Sequence, residues 1–112
     1  MRSLSSRDHV GRGEIVVFAA PRGSDPAVDD LAKRVIGLPN EEVSAKAGHM
    51  YVGGRELAES YLAQGTFTSS FAPVAIPSGH YWVMGDNRRN SRDSRVFGPI
   101  RRGDIIGVVD LR

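Results

Sequence analysis

The sequence predicts a mainly β domain, and three observations carry that prediction. Apolar runs are short and rich in β-branched and aromatic residues. They follow one another closely, and 13 glycines and six prolines punctuate them. Strands bounded by Gly and Pro turns at this spacing indicate an all-β or mainly β architecture. At 112 residues the chain is one domain, 1–112, with enough length for one core.

Taken in order, residues 1–13 are polar and end in Gly11-Arg12-Gly13, which reads as a loose lead-in. Ile15-Val16-Val17-Phe18 after Glu14 is a buried strand, and Pro21-Arg22-Gly23-Ser24-Asp25-Pro26 is a loop. Val28, Leu31, Ala32, Val35 and Ile36 follow helical spacing, whereas Arg34 to Pro39 reads as a strand running into a turn. Glu42-Val43-Ser44 is a short strand. His49 to Val52 and Arg55 to Leu57 form a hairpin about Gly53-Gly54. Residues 45–78 read as a short variable excursion, with 58–75 lacking any clear period. His80-Tyr81-Trp82-Val83-Met84 is an aromatic strand, and Val96-Phe97-Gly98 and Ile105 to Val109 close the chain as strands.

Composition excludes several kinds of chemistry. Without cysteine there is no disulfide, thiolate zinc site or cysteine nucleophile. His9, His49 and His80 lie far apart without ligand spacing, so no metal and no other cofactor is expected. No run approaches the ~18–20 apolar residues of a membrane helix, and the first residues lack the apolar core of a signal peptide. Thirteen of the 15 basic residues are arginine, but a formal charge of +2 is too balanced to argue for nucleic acid.

Two segments could carry chemistry. Gly85 to Arg95 is a basic loop between apolar strands, in which Asp86, Asp93, Asn87 and Asn90 could pair with Arg88 or Arg95 and orient Ser91. Its ordinary reading is solvated surface. Lys33, in Leu31-Ala32-Lys33-Arg34-Val35-Ile36, is by its ordinary reading a snorkelling surface lysine. The functional alternative is a lysine buried until its ammonium form is destabilised, leaving a neutral amine as general base toward a serine hydroxyl.

Three segments in order resemble one family, the bacterial type I signal peptidases, which are membrane-bound serine proteases with a Ser–Lys dyad. They are Arg12-Gly13-Glu14-Ile15-Val16-Val17-Phe18, then Lys33-Arg34-Val35-Ile36-Gly37-Leu38-Pro39, then Gly85-Asp86-Asn87-Arg88 with Asn90-Ser91, Asp93, Ser94 and Arg95. The resemblance runs from about Arg12 to Val109. It implies coiled antiparallel sheets with short helices, and a strand at Ala32 to Leu38 in place of the helical periodicity. It places Lys33 on the general base, Ser91 on the serine that orients it, and Asp93 and Arg95 on the pair that braces the loop.

It further implies that the substrates are signal peptides of exported preproteins. It implies a place at the membrane surface, on the extracytoplasmic face of the cell membrane. The family's nucleophile lies upstream in a Ser-Met-x-Pro segment, and Ser3, Ser5 and Ser6 do not match it. The expectation is therefore a chain truncated before its nucleophile and inactive alone, with an uncovered apolar face at Ile15 to Phe18. Leu31 and Ala32 replace the family's aromatic and branched residues beside the pocket for the small residues before the cleavage site. Asn40-Glu41 replaces Gly-Asp, in a turn that asparagine tolerates. The alternative is a non-catalytic β module that binds nucleic acid or anionic lipid through residues 85–95.

Overall fold

The computed structural model describes residues 1–5, 8–21 and 28–109. Ser6 and the greater part of the loop expected at Pro21 to Pro26 lie outside the described residues. Among the described residues, ten strands make two antiparallel sheets. They are β1 (Arg2–Ser3), β2 (Ile15–Ala19), β3 (Asp30–Gly37), β4 (Glu42–Lys46), β5 (His49–Val52), β6 (Arg55–Glu56), β7 (Phe71–Ala75), β8 (His80–Met84), β9 (Ile100–Arg101) and β10 (Ile105–Val109). One sheet runs β1-β10-β2-β3-β8-β9 and the other β6-β5-β4-β7. A single helical turn, α1 (Ser94–Phe97), and a 3₁₀ turn at Arg102–Asp104 complete the fold.

Strand periodicity explains how two cores share one central pair of strands. Successive residues of a strand point to opposite faces. Val35 of β3 and Val83 of β8 therefore join Val10, Val16, Phe18, Ile100, Ile105 and Val108 in one cluster. Their neighbours Ile36, Trp82 and Met84 face the other way and pack with Val43, Ala45, Met50 and Ile76 beneath the four-stranded sheet. Gly37 ends β3 where that second cluster is tightest. A Cβ there would run into Ile76 Cδ1 and lie 2.8 Å from Val43 Cγ1.

β3 is a strand despite its helical periodicity, because β2 on one side and β8 on the other supply its hydrogen-bonding partners. The Gly53-Gly54 hairpin is present, with both glycines at positive φ (58° and 80°), as a turn of the I′ kind requires. Asn40 takes φ 69° in the turn after Pro39.

Four expectations are corrected. The lead-in is not loose, for Arg2–Ser3 pairs with Gly107–Val108 and Val10 is buried in the first cluster. Arg102 ties this segment down by donating from Nη2 to the carbonyls of Ser5 and Asp8. Within the 58–75 stretch, Phe71–Ala75 is β7 and Thr68 is fully buried. Pro73 disguised that strand; a proline is tolerated because β7 is an edge.

Val96-Phe97 belongs to α1 and not to a strand. Asp93 caps the turn's start, and Gly98 ends it at φ 82°. Nor is the Ile15 to Phe18 face uncovered. Val16 and Phe18 are fully buried, Ile15 and Val17 are half-buried, and Phe97 packs edge-on against Phe18 at 6.2 Å.

Candidate active site

The loop after β8 is built on a buried carboxylate. Asp93 has no solvent exposure and accepts from the Gly85 N–H, the Arg95 N–H and both Nε and Nη2 of Arg95 at 2.7–3.1 Å. Burial alone would raise the carboxyl's pKa. The Arg95 guanidinium and the two backbone donors outweigh it and hold Asp93 below the usual carboxylate value. Next along, the Ser94 hydroxyl accepts from the Val83 N–H at 2.9 Å, fastening α1 to β8. Arg95 also donates to the Arg88 carbonyl, closing the loop on itself.

Arg88 anchors the loop's other limb. Its guanidinium has no exposure and donates to the Gly85 carbonyl, Thr68 Oγ1 and Glu59 Oε2. On β3, Arg34 makes a two-point contact with Asp86 at 2.8 and 3.0 Å, donates to the Gly13 carbonyl, and lies 4.1 Å from the Tyr61 ring centroid. Burial first, then the neighbouring Glu59 carboxylate, pushes the Tyr61 phenol well up. Arg12 forks onto Glu41 and reaches the Ile36 carbonyl. That fork, more than anything else, lowers the Glu41 carboxyl, and its own partner raises Arg12 in turn.

Within this frame Lys33 and Ser91, 58 positions apart, are brought together. The Lys33 Nζ donates to Ser91 Oγ at 3.0 Å, and the lysine is half-buried. Lys33 stands opposite Val16 in the β2–β3 ladder, which fixes its main chain on that side. Gly85 explains how the two can approach. A Cβ on it would lie 2.6 Å from Ser91 Cβ, nearer still to Ser91 Oγ, and 3.5 Å from Lys33 Nζ. The four residues Lys33, Ser91, Asp93 and Arg95 thus occupy one region, with the last two supporting the loop that presents the second.

Pairings inside the loop differ from the expected set. Asp93 does pair with Arg95, whereas Asp86 pairs with Arg34 and Arg88 with Glu59. Those partners are 52 and 29 residues away, and no local spacing signals them. The loop is also no continuous basic patch, since Arg88 and Arg95 are consumed by carboxylates. A nucleic-acid or anionic-lipid module built on residues 85–95 finds no support here.

Ser3 sits on β1, which β10 and β2 separate from β3, so about 14 Å of sheet lies between it and the Lys33 strand. No group of three or more His, Asp or Glu placed to hold a metal occurs among the described residues. No helix among them is long and apolar enough to cross a membrane.

Along β3 the hydrogen-bonding edge is unevenly used. On the side away from β2, β8 pairs with Arg34, Val35 and Gly37 only. From Asp30 to Lys33 that edge has no strand partner among the described residues. It can receive an extended chain by strand addition, with a backbone passing directly beside Lys33.

Comparison with known proteins identifies the family. The sequence pattern of the family described as "Signal peptidase, peptidase S26" spans residues 2–112. The chain is 42% identical over 104 residues to a probable signal peptidase I-2 of Synechocystis sp., covering 90% of this chain and 47% of that protein. It is 40% identical over 113 residues to signal peptidase I V of Bacillus subtilis, covering 89% of this chain and 64% of that one. The chain thus spans from about half to just under two thirds of the length of these relatives. A crystal structure of a signal peptidase I from Enterococcus faecalis superimposes with a TM-score of 0.78 at 31% identity, over 92% of this chain and 98% of that one. The shared antiparallel β fold and the match over nearly every residue place this chain in the signal peptidase, peptidase S26 family.

Proposed function

We propose that this chain is the general-base domain of a signal-peptide-cleaving serine endopeptidase, in which residues 1–112 act as one catalytic unit and 45–78 is its variable part. The observation that carries the reading is the 3.0 Å contact between Lys33 Nζ and Ser91 Oγ. In its neutral form the Lys33 amine takes the proton of a serine hydroxyl as that oxygen attacks the scissile carbonyl. The resulting ammonium returns the proton to the departing amine, leaving an acyl-enzyme. A water molecule then repeats the cycle and releases the acid. Ser91 holds the amine in line, while Asp93 and Arg95 hold the loop. The substrate is the signal peptide of an exported preprotein, lying on the open β3 edge with its small residues beside Leu31 and Ala32. The reaction takes place at the membrane surface on its extracytoplasmic face.

The nucleophile in this reading is the serine of a Ser-Met-x-Pro segment, and the test supplies one. Residues 1–112 by themselves, incubated with an Ala-x-Ala peptide in lipid, are expected to give no turnover. Joined to a relative's Ser-Met-x-Pro segment they are expected to cleave. Lys33→Ala should then lower the rate about 10²–10⁴-fold. Ser91→Ala, which removes the hydrogen bond that holds the amine in line, should lower it about tenfold. Cleavage by the joined protein that is indifferent to Lys33→Ala overturns the assignment. Turnover by the chain alone that vanishes in Lys33→Ala overturns its inactivity and directs attention to Ser3 and Ser5.

A further inference from the structure

The open edge of β3 stops abruptly at Arg34, where Met84 of β8 takes over. A peptide lying along Asp30 to Lys33 therefore cannot continue in the sheet past the lysine. It must rise over the loop that begins at Gly85, where a Cβ would lie 2.6 Å from Ser91 Cβ and 3.5 Å from Lys33 Nζ. The ground it crosses is a shallow hollow of about 360 Å³ lined by Arg89, Asn90, Ser91, Arg92 and Val96. Arg89 and Arg92 are both exposed. Among the described residues neither forms an ion pair, unlike Arg88 and Arg95 in the same loop. Two guanidiniums without a carboxylate thus flank the serine that orients the base.

Resting on the proposed function, which puts the small residues before the cleavage site beside Leu31 and Ala32, the far side of Lys33 receives the residues after the scissile bond. We propose that Arg89 and Arg92 are specificity-determining residues that favour an acidic side chain among the first few residues following the cleaved bond. Guanidinium and carboxylate match in charge and in hydrogen-bonding geometry, and a flexible exposed approach suits a peptide whose sequence varies from one substrate to the next. Exposed pairs of this kind contribute about 0.2–1 kcal/mol each, so two together give a preference of about two- to thirtyfold.

The experiment measures binding, by fluorescence anisotropy at low salt, of non-cleavable Ala-x-Ala peptides that carry Asn, Asp or Lys at each of the four positions after the scissile bond. Backbone amide shifts of Asp30 to Lys33 are followed in parallel. The expected result is binding of all peptides at the β3 edge, with the Asp peptides about two- to thirtyfold tighter than their Asn counterparts. The preference should vanish in Arg89→Gln/Arg92→Gln and turn toward the Lys peptides in Arg89→Glu/Arg92→Glu. Edge binding without an Asp preference, or a preference that persists in the double Gln variant, overturns this inference and leaves the proposed function standing. Failure of every peptide to shift the Asp30 to Lys33 amides overturns both.

Discussion

Gly85→Ala puts the geometry of the dyad to a direct test. The backbone at Gly85 is not in the left-handed region, so alanine is admissible there and any cost is one of contact. Gly85 cannot back away, because its N–H is bound to Asp93 Oδ2 at 3.0 Å and its carbonyl to Arg88 Nε at 2.9 Å. The new methyl would lie 2.6 Å from Ser91 Cβ and closer to its oxygen. Ordinary contact between carbons is ~3.5–4.0 Å, so Ser91 must move by about 1 Å and release Lys33. Overpacking of this size costs about 1–3 kcal/mol. For a chain of 112 residues, each kcal/mol is worth about 4 °C of midpoint, so the unfolding temperature should fall by about 4–12 °C. Ser91→Gly removes both atoms that the methyl meets, so Gly85→Ala should cost almost nothing in the Ser91→Gly background. A double-mutant cycle in urea, with the side-chain nitrogen resonance of Lys33 recorded alongside, reads both effects. Additive losses, or a Gly85→Ala variant within 0.5 kcal/mol of the parent with an unmoved Lys33 signal, would refute the reasoning.

Other perturbations follow from the same contacts. Arg88→Met strands the nearly buried Glu59 carboxylate and should cost about 3–5 kcal/mol in urea unfolding, whereas Arg89→Met should stay within about 0.5 kcal/mol. Asp93 is held below the unfolded carboxylate value of ~3.9, so its stabilisation is complete above about pH 4 and is lost as pH falls through the lower folded value. Asp93→Asn should therefore lower stability at neutral pH and flatten the acid limb of a midpoint-against-pH curve; parallel limbs for the two proteins would contradict this. Gly37→Ala meets Ile76 and Val43 in the second core and should cost about 1–3 kcal/mol by the same measure, with Ile76→Ala recovering part of the loss.

What was legible in the sequence follows from the range of the forces involved. Strands such as Ile15 to Ala19 and His80 to Met84 announce themselves through adjacent β-branched and aromatic residues, and the Gly53-Gly54 turn through backbone freedom. The residues of β3 point both to a helix and, from Arg34 on, to a strand; likeness to a family decides between them, because the helical spacing is overridden by partners that local pattern does not contain. β7 hid behind Pro73, and α1 is one turn long, shorter than any period can register. At the site, Asp93–Arg95 is a neighbouring pair and could be seen. Arg34–Asp86 depends on the pairing of β3 with β8, and Arg88–Glu59 on how the two sheets come together; nothing near these residues in sequence specifies either pair.

The four forks at Arg12, Arg34, Arg88 and Arg95 follow one plan, in which each guanidinium grips a carboxylate and also a backbone carbonyl from a second point of the chain. In a protein without cysteine these clips do the tethering that cross-links do elsewhere. Transfer between oxidising and reducing surroundings therefore leaves the tethering of the Lys33 site untouched. Recoding is another matter. Lysine offers a point charge without the planar fork, so arginine-to-lysine exchange at these four positions would loosen loops that the same exchange at Arg89 or Arg92 would leave in place.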